Sequence, residues 1–219
     1  MEDAKDVRLI IKECRSYDFD LRALKNEEHG HFLEGRAIVF ENPYDNGWFT
    51  EYIDEGALDQ TDLKDVRLLV NHDTDMIPLA RSRNNTSKST MQLSPDEKGM
   101  TIRADLDVER NVTAQSLYSA ADRGDISGMS FMFTVDRDEW SDLDTDHPVR
   151  HIKSIRKIFE VSAVTWPAYE RTSLEARSRA ETLESAKATL ESVRAAKATE
   201  EREAKIVELE AKLKSIREG

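Results

Sequence analysis

Near residue 171 the helix-breaking residues stop. All five prolines lie before that point, as does every glycine except the terminal Gly219. Residues 172–219 are rich in Ala, Glu, Lys, Arg and Leu, a composition that favours helix. Fully helical, that stretch would be about 70 Å long at 1.5 Å per residue. Leu183, Leu190 and Val193 form one partial apolar seam, and Ile206, Leu209, Leu213 and Ile216 form an a/d seam. The seams are out of register by two positions, across the polar or small stretch AAKATEEREA. The spacing predicts two helical segments, or one helix whose apolar stripe jumps. Such a tail is either a solvated helix packed on its own body or an oligomerisation or docking arm. The expected division is a body, 1–171, and a charged helical tail, 172–219.

The chain carries 44 acidic and 32 basic residues, a formal net charge of −12. The tail holds ten Lys/Arg and ten Glu, so the whole excess belongs to the body. An acidic body argues against a nucleic-acid binder, which needs a basic face to neutralise phosphates. It argues equally against an electrostatic membrane anchor and is compatible with basic protein substrates. Cys14 is the one cysteine, so no internal disulfide forms, which fits a reducing compartment. MEDAKDVRLI lacks the basic start and long apolar stretch of a signal peptide, and no window approaches the ~18 apolar residues of a membrane span. The expectation is a soluble protein of a bacterial or cell-interior space.

The body reads as strand-dominated, with a few helices. DVRLIIKEC, GRAIVF and VRLLVN are expected strands, the last ending at His72. NPYDNG is a turn cluster. DEGALDQTDLKD predicts a short helix capped by Asp54. STMQLSPDEKGMTIRADLDV predicts a hairpin turning at PDEKG. NVTAQSLYSAADRGD predicts a helix capped by Asn111 and ended by Gly124, with Ala114, Leu117, Tyr118 and Ala121 on one face. A polar loop, DRDEWSDLDTDHP, precedes two further strands, VRHIKSI and KIFEVSAVTW.

Within GDISGMSFMF a hydroxyl sits in an otherwise apolar run. Side chains alternate between faces along a strand. Met129, Phe131, Phe133 and Val135 then share a core face with Ser127. Ile126, Gly128, Ser130, Met132 and Thr134 share the other. Ser130 thus points away from the aromatic pair, beside open space at Gly128. On this segment alone, a serine on a half-solvated strand face is the simpler reading. As a nucleophile it would need a base. Of the five histidines (His29, His31, His72, His147 and His151), His72 at a strand end is the first candidate and His151 the second. A carboxylate should orient that imidazole. Glu160 lies in an apolar strand on one face with Ser162 and Val164, and a buried acid needs a partner. Asp73 and Asp125 are rival orienters, and an ion pair with Arg156 or Lys157 is the alternative role for Glu160. NHDTD offers His72, Asp73 and Asp75 as metal ligands, but without a second histidine at ligand spacing. Cys14 reads as a small buried apolar group. No P-loop or dinucleotide fingerprint is present, and no cofactor is expected.

The order EGRAIVFENPYDN, WFTEYIDEGAL, DVRLLVNHD, then LSPDEKGMTIRADLD and LYSAADRGDISGMSFMF, closing with FEVSAVTWPAYE, resembles the HK97-type prohead (capsid maturation) serine proteases of tailed bacteriophages. The resemblance runs from about residue 34 to 171. It implies His72 as general base, Ser130 as nucleophile and Glu160 as third member. The family is related in fold to herpesvirus maturation proteases, whose third member is a second histidine, and this keeps His151 in view. The family often has Gly-Phe after its Ser-Phe, where this chain has Met132-Phe133, and Met132 is expected to narrow the pocket. Arg171 is a candidate oxyanion donor. The implied fold is α+β: a β-barrel-like body with peripheral helices and a long C-terminal helical tail. The implied function is a serine endopeptidase that cuts the scaffolding segment of the major capsid protein, and itself, inside the immature shell in the host cytoplasm. The alternative is a non-enzymatic scaffold or capsid-interior protein acting through its tail.

Overall fold

A computed structural model describes residues 12–17, 21–45, 47–165 and 173–217, and in the last helix the side chains of 184 and 186–214. In chain order these form β1 (Glu13–Tyr17), β2 (Arg22–Asn26), β3 (Gly30–Val39), β4 (Tyr44–Asp45), β5 (Thr50–Ile53), β6 (Asp65–Val70), β7 (Ala80–Arg83), β8 (Met91–Asp96) and β9 (Gly99–Asp105). Then come α1 (Val112–Asp122), β10 (Gly128–Ser141), β11 (Val149–Val164) and α2 (Ser173–Arg217).

The spine is the antiparallel pair β10 and β11. β1 adds to the free edge of β10 in antiparallel register. The other edge of β11 is divided between two parallel partners: β5 along Val149–Ile152 and β6 along Glu160–Ala163. β4 extends β5, and β7 extends β6. A second sheet has the order β2-β3-β9-β8. The two sheets share one core. Leu33, Ile38, Met91, Met100 and Ile102 come from one, and Met129, Phe131, Phe133, Ile152, Ile155 and Ile158 from the other. Each such side chain contributes about 1.5–3 kcal/mol on burial. The architecture is therefore α+β and mostly strand. No ladder among the described residues closes either sheet into a barrel.

Local signals explain most elements. Asn111 accepts from the backbone of Thr113 and Ala114 at the start of α1, and Gly124 adopts φ +75° just past its end. The β8–β9 hairpin turns at the expected PDEKG. There Gly99 has φ +137°, and a Cβ would lie 2.0 Å from the Ile38 carbonyl oxygen. The helix expected after Asp54 does not form. That segment makes successive turns, with Ala57, Asp59 and Thr61 donating to residues 54, 56 and 58. Gly56 at φ +82° interrupts any helical run. The polar loop expected over 136–148 is also shorter than its composition implied, because β10 continues to Ser141 and the two closing strands are one. Charged side chains pair across this ribbon, Arg150 with Asp138 at 2.8 Å and Arg156 with Asp136 at 3.0 Å, so it needs little apolar burial. Most of the first expected strand, 6–14, lies outside the described residues.

One feature of the core is charged. Glu13 and Arg15 on β1, Glu51 on β5 and Arg150 on β11 are all buried. Arg15 Nε donates to Glu51 Oε1 at 2.5 Å, and its Nη2 to Glu13 Oε2 at 2.6 Å. Arg150 Nη1 bridges Glu13 Oε2 at 2.9 Å and Glu51 Oε2 at 2.8 Å. Burial alone would raise the Glu13 carboxyl, but Arg150 and Arg15 outweigh it and hold its pKa at about 2. Burial likewise opposes the charge on both arginines, and their carboxylate partners more than offset it, raising both.

Because Glu13 is depressed from 4.5 to about 2, it contributes stability above pH 4.5 that is lost as pH falls through about 2. Glu13→Gln should therefore cost about 3 kcal/mol at neutral pH and flatten the stability profile between those limits. Denaturant unfolding across that pH range measures both effects.

Candidate active site

The site starts where β6 ends. After Val70 the chain turns through Asn71 and His72, both left-handed at φ 50° and 57°. Two consecutive non-glycine residues in that region need outside support. Asn71 N donates to Ala163 O at 2.9 Å, and Asn71 Oδ1 accepts from Thr165 N and Oγ1, each at 3.0 Å. His72 N donates to Ser162 Oγ at 3.1 Å. The turn is thus tied to the end of β11.

So held, the His72 ring lies between two strands. Nδ1 is 2.5 Å from Glu160 Oε1 on β11, and Nε2 is 2.6 Å from Ser130 Oγ on β10. Strand register explains the meeting. Ser130 pairs directly with Ser162, and Glu160 lies two residues away on the same face. An ionised carboxylate accepts only, so Nδ1 donates to Glu160 and Nε2 is left to accept the serine proton. Ser130 Oγ also donates to Arg15 O at 2.9 Å, giving one hydroxyl proton two acceptors. Ser162 Oγ donates to Glu160 Oε2 at 2.6 Å. Ser130, Ser162 and Glu160 are 0%, 0% and 2% exposed, so Ser130 is not on a half-solvated face.

The other sequence candidates lie elsewhere. His151 Nδ1 is 2.7 Å from Asp54 Oδ1, and its ring stacks on Tyr52. It sits nine residues from Glu160 along β11, roughly 30 Å at strand rise. Asp54 is drawn below the usual carboxylate range. Its partial burial works against this, and hydrogen bonds from Lys153 and His151 outweigh it. Asp73 is exposed and accepts from Asp75 N, and Asp125 pairs with Arg123. His72 is drawn to Ser130 and Glu160 rather than toward Asp75, and among the described residues no group of three or more acids, histidines or cysteines could hold a metal. Cys14 is half-buried opposite Met132. Lys157 pairs with Asp62 and Arg156 with Asp136, so neither serves Glu160. Arg171 lies outside the described residues.

Two further groups complete the cluster, Ser162 Oγ and the Arg15 carbonyl, and neither is among the candidates named from the sequence. Main-chain atoms carry no sequence signal. Ser162 did: two polar residues at i and i+2 of an apolar strand share a face, where each can satisfy the other.

Beside His72 opens a cavity of about 1310 Å³. Val70, Met76, Ile77, Val112, Leu117 and Met132 are among its walls. Ile77 and Val112 are largely exposed at 82% and 75%, unusual for aliphatic side chains in one place.

Residues 17–187 match the family described as caudovirus prohead serine protease. The chain belongs to that family. The prohead protease of Enterobacteria phage HK97 is 26% identical over 179 residues, covering 80% of this chain and 72% of that protein. No solved structure matches. Prohead serine proteases are serine peptidases of phage capsid maturation, and the family match covers every residue of the Ser130–His72–Glu160 cluster.

A short, buried nitrogen–oxygen contact deshields its proton. The His72 Nδ1 proton should resonate far downfield of ordinary imidazole protons in NMR of the full chain. Glu160→Gln should move it upfield, because a neutral amide is the weaker acceptor.

Proposed function

We propose that this protease is an endopeptidase in which Ser130 is the nucleophile, His72 the general base and Glu160 the residue that orients and stabilises the imidazolium. Its substrates are the scaffolding segment of the major capsid protein and the protease itself, cut inside the immature shell. What carries this reading is the unbroken hydrogen-bonded series from Ser130 Oγ through His72 to Glu160, in a family of serine peptidases.

In the proposed reaction the Ser130 proton turns from Arg15 O to His72 Nε2 as Oγ attacks a peptide carbonyl. Glu160 holds the ring in the tautomer that accepts it. His72 then protonates the leaving amine as the acyl-enzyme forms; water next gives a proton to His72 and attacks the acyl carbon, and the carboxyl product leaves as that proton returns to Ser130 Oγ. Proton transfer of this kind contributes roughly 10²–10⁴-fold. The apolar cavity beside His72 seats substrate side chains flanking the scissile bond.

Ser130→Ala should abolish shortening of the cognate capsid protein on co-expression, and Glu160→Gln should slow it by about 10⁴-fold, the order seen when a triad acid becomes an amide. Equal cleavage by wild type and Ser130→Ala would remove Ser130 as nucleophile. No cleavage by either would favour the non-enzymatic scaffold.

The tail belongs to the same proposal, as an arm that carries a body, 1–171, into the shell. The near part of α2 rests on the body: Ala186 is buried, Lys187 lies over the Trp48 ring, and Arg194 donates to the carbonyls of Leu143 and Thr145. Lys197 pairs with Asp144 at 3.1 Å. Farther out, Ile206, Leu209 and Leu213 are 47–59% exposed, so the described part of the second apolar seam is left largely open to solvent, as is Val207 beside it. Deleting 200–219 should leave peptide cleavage largely unchanged and reduce incorporation into shells, measured by protease content of purified proheads. Loss of folding on deletion would refute the arm.

A further inference from the structure

The hydroxyl of Ser162 touches both halves of the His72–Glu160 pair. Its proton goes to Glu160 Oε2 at 2.6 Å, and its lone pair accepts the His72 backbone N–H at 3.1 Å. We infer that Ser162 is a positioning residue for the catalytic pair, a fourth member that sets the charge on the carboxylate and the place of the imidazole together. The inference rests on the triad reading of the site.

Three observations point the same way. Glu160 Oε1 is taken by His72, so without Ser162 the buried Oε2 would lose its hydrogen-bond donor. A buried carboxylate oxygen without a donor is costly, and the cost falls on the ionised form. His72 stands at φ 57°, in the left-handed region, and its backbone N–H donates to Ser162 Oγ. Ser162 is also the direct cross-strand partner of Ser130, so the residue that braces the acid and base lies beside the nucleophile. A serine that only filled space would need neither bond.

The sign of the effect on proton binding follows from charge. The working pair, Glu160 ionised and His72 neutral, carries one negative charge, and binding a proton neutralises it. The Ser162 donor favours the ionised state over the protonated one. Removing it must raise the pH at which the pair takes up a proton. If Glu160 takes that proton it donates to Nδ1, and Nε2 can no longer accept from Ser130. Lys12, Cys14, Asp73 and Arg110 line the adjoining cavity, and Arg67 is the β6 register partner of Glu160. All five stay unchanged in the variants compared, so their contributions cancel.

The test uses the full chain as wild type, Ser162→Ala, Ser162→Thr and Ser162→Cys. NMR titration of the His72 ring reads the midpoint without any substrate, and cleavage of the cognate capsid protein is followed over the same pH range. Ser162→Ala should raise the midpoint by about one unit and slow cleavage about 10- to 100-fold, most at low pH. Ser162→Thr, which keeps the hydroxyl, should restore the midpoint. Ser162→Cys, a weak donor of similar size, should fall between, and it stands in if the alanine variant does not fold. A midpoint unmoved in both the alanine and cysteine variants overturns the inference, even if stability falls. The NMR shift should persist in a Ser130→Ala background. A Ser130→Ala protein that still cleaves would instead overturn the triad, so the two failures are told apart.

Discussion

The structure depends on β11 being paired along both edges. On one side β10 sets Ser130 opposite Ser162, and on the other β6 runs parallel with Leu69 opposite Ser162 and Val70 opposite Ala163. Neighbouring strands stand about 4.8 Å apart, so three adjacent strands bring a strand-borne hydroxyl, a strand-borne acid and a strand-end imidazole within contact distance. The arrangement tolerates no slip. A shift of one residue in either ladder would turn Ser130 or Glu160 to the opposite face. The irregularity between Met132 and Phe133 lies just beyond the site, so the register that matters, Ser130 to Met132, is regular.

The buried charges act on the same place from the other side. On β1, Glu13, Arg15 and Tyr17 alternate inward, and Arg15 and Glu13 are fixed by Glu51 and Arg150. That anchorage fixes the β1 backbone, and the Arg15 carbonyl is one of the two acceptors competing for the Ser130 proton. A cluster of two cations and two carboxylates gains little net stability over apolar packing. What it does supply is a defined position for one carbonyl. Replacing it with aliphatic side chains would test position rather than stability.

The parts of this fold that were legible in the sequence are those decided locally. Asn111 and Gly124 bound α1, PDEKG turns the β8–β9 hairpin, and alternation sorted Ser130 from Phe131 and Glu160 from Val161. The parts that were not legible depend on partners far along the chain. Glu13 and Arg150 are 137 residues apart, and nothing local marks either as buried. The acidic run after Val135 read as loop because the arginines that pair with it arrive only on β11. The Asp54 segment reads as helix on the strength of its capping residue alone, and Gly56 at φ +82° defeats that signal. His72 reached its place through the parallel β6–β11 pairing, which side-chain alternation does not encode, and the family resemblance supplied that link.

A reacting peptide carbonyl must come within about 3–3.5 Å of the serine oxygen. Ser130 has no exposed surface, and its hydroxyl is enclosed by β1, β11 and the His72 turn. On the proposed mechanism, in which Ser130 is the nucleophile, substrate entry requires one neighbour to give way. β1 is held by a five-residue ladder and by buried ion pairs, whereas the Asn71–His72 turn is left-handed twice over and its Asn71–Thr165 bonds are exposed. The turn is the softer side, and it borders the apolar cavity. Ser162, bound to the His72 backbone, then sits at the join between a rigid strand and a strained turn. On the proposed mechanism, that join is where the base, His72, is held firmly enough to accept a proton and loosely enough to admit a chain.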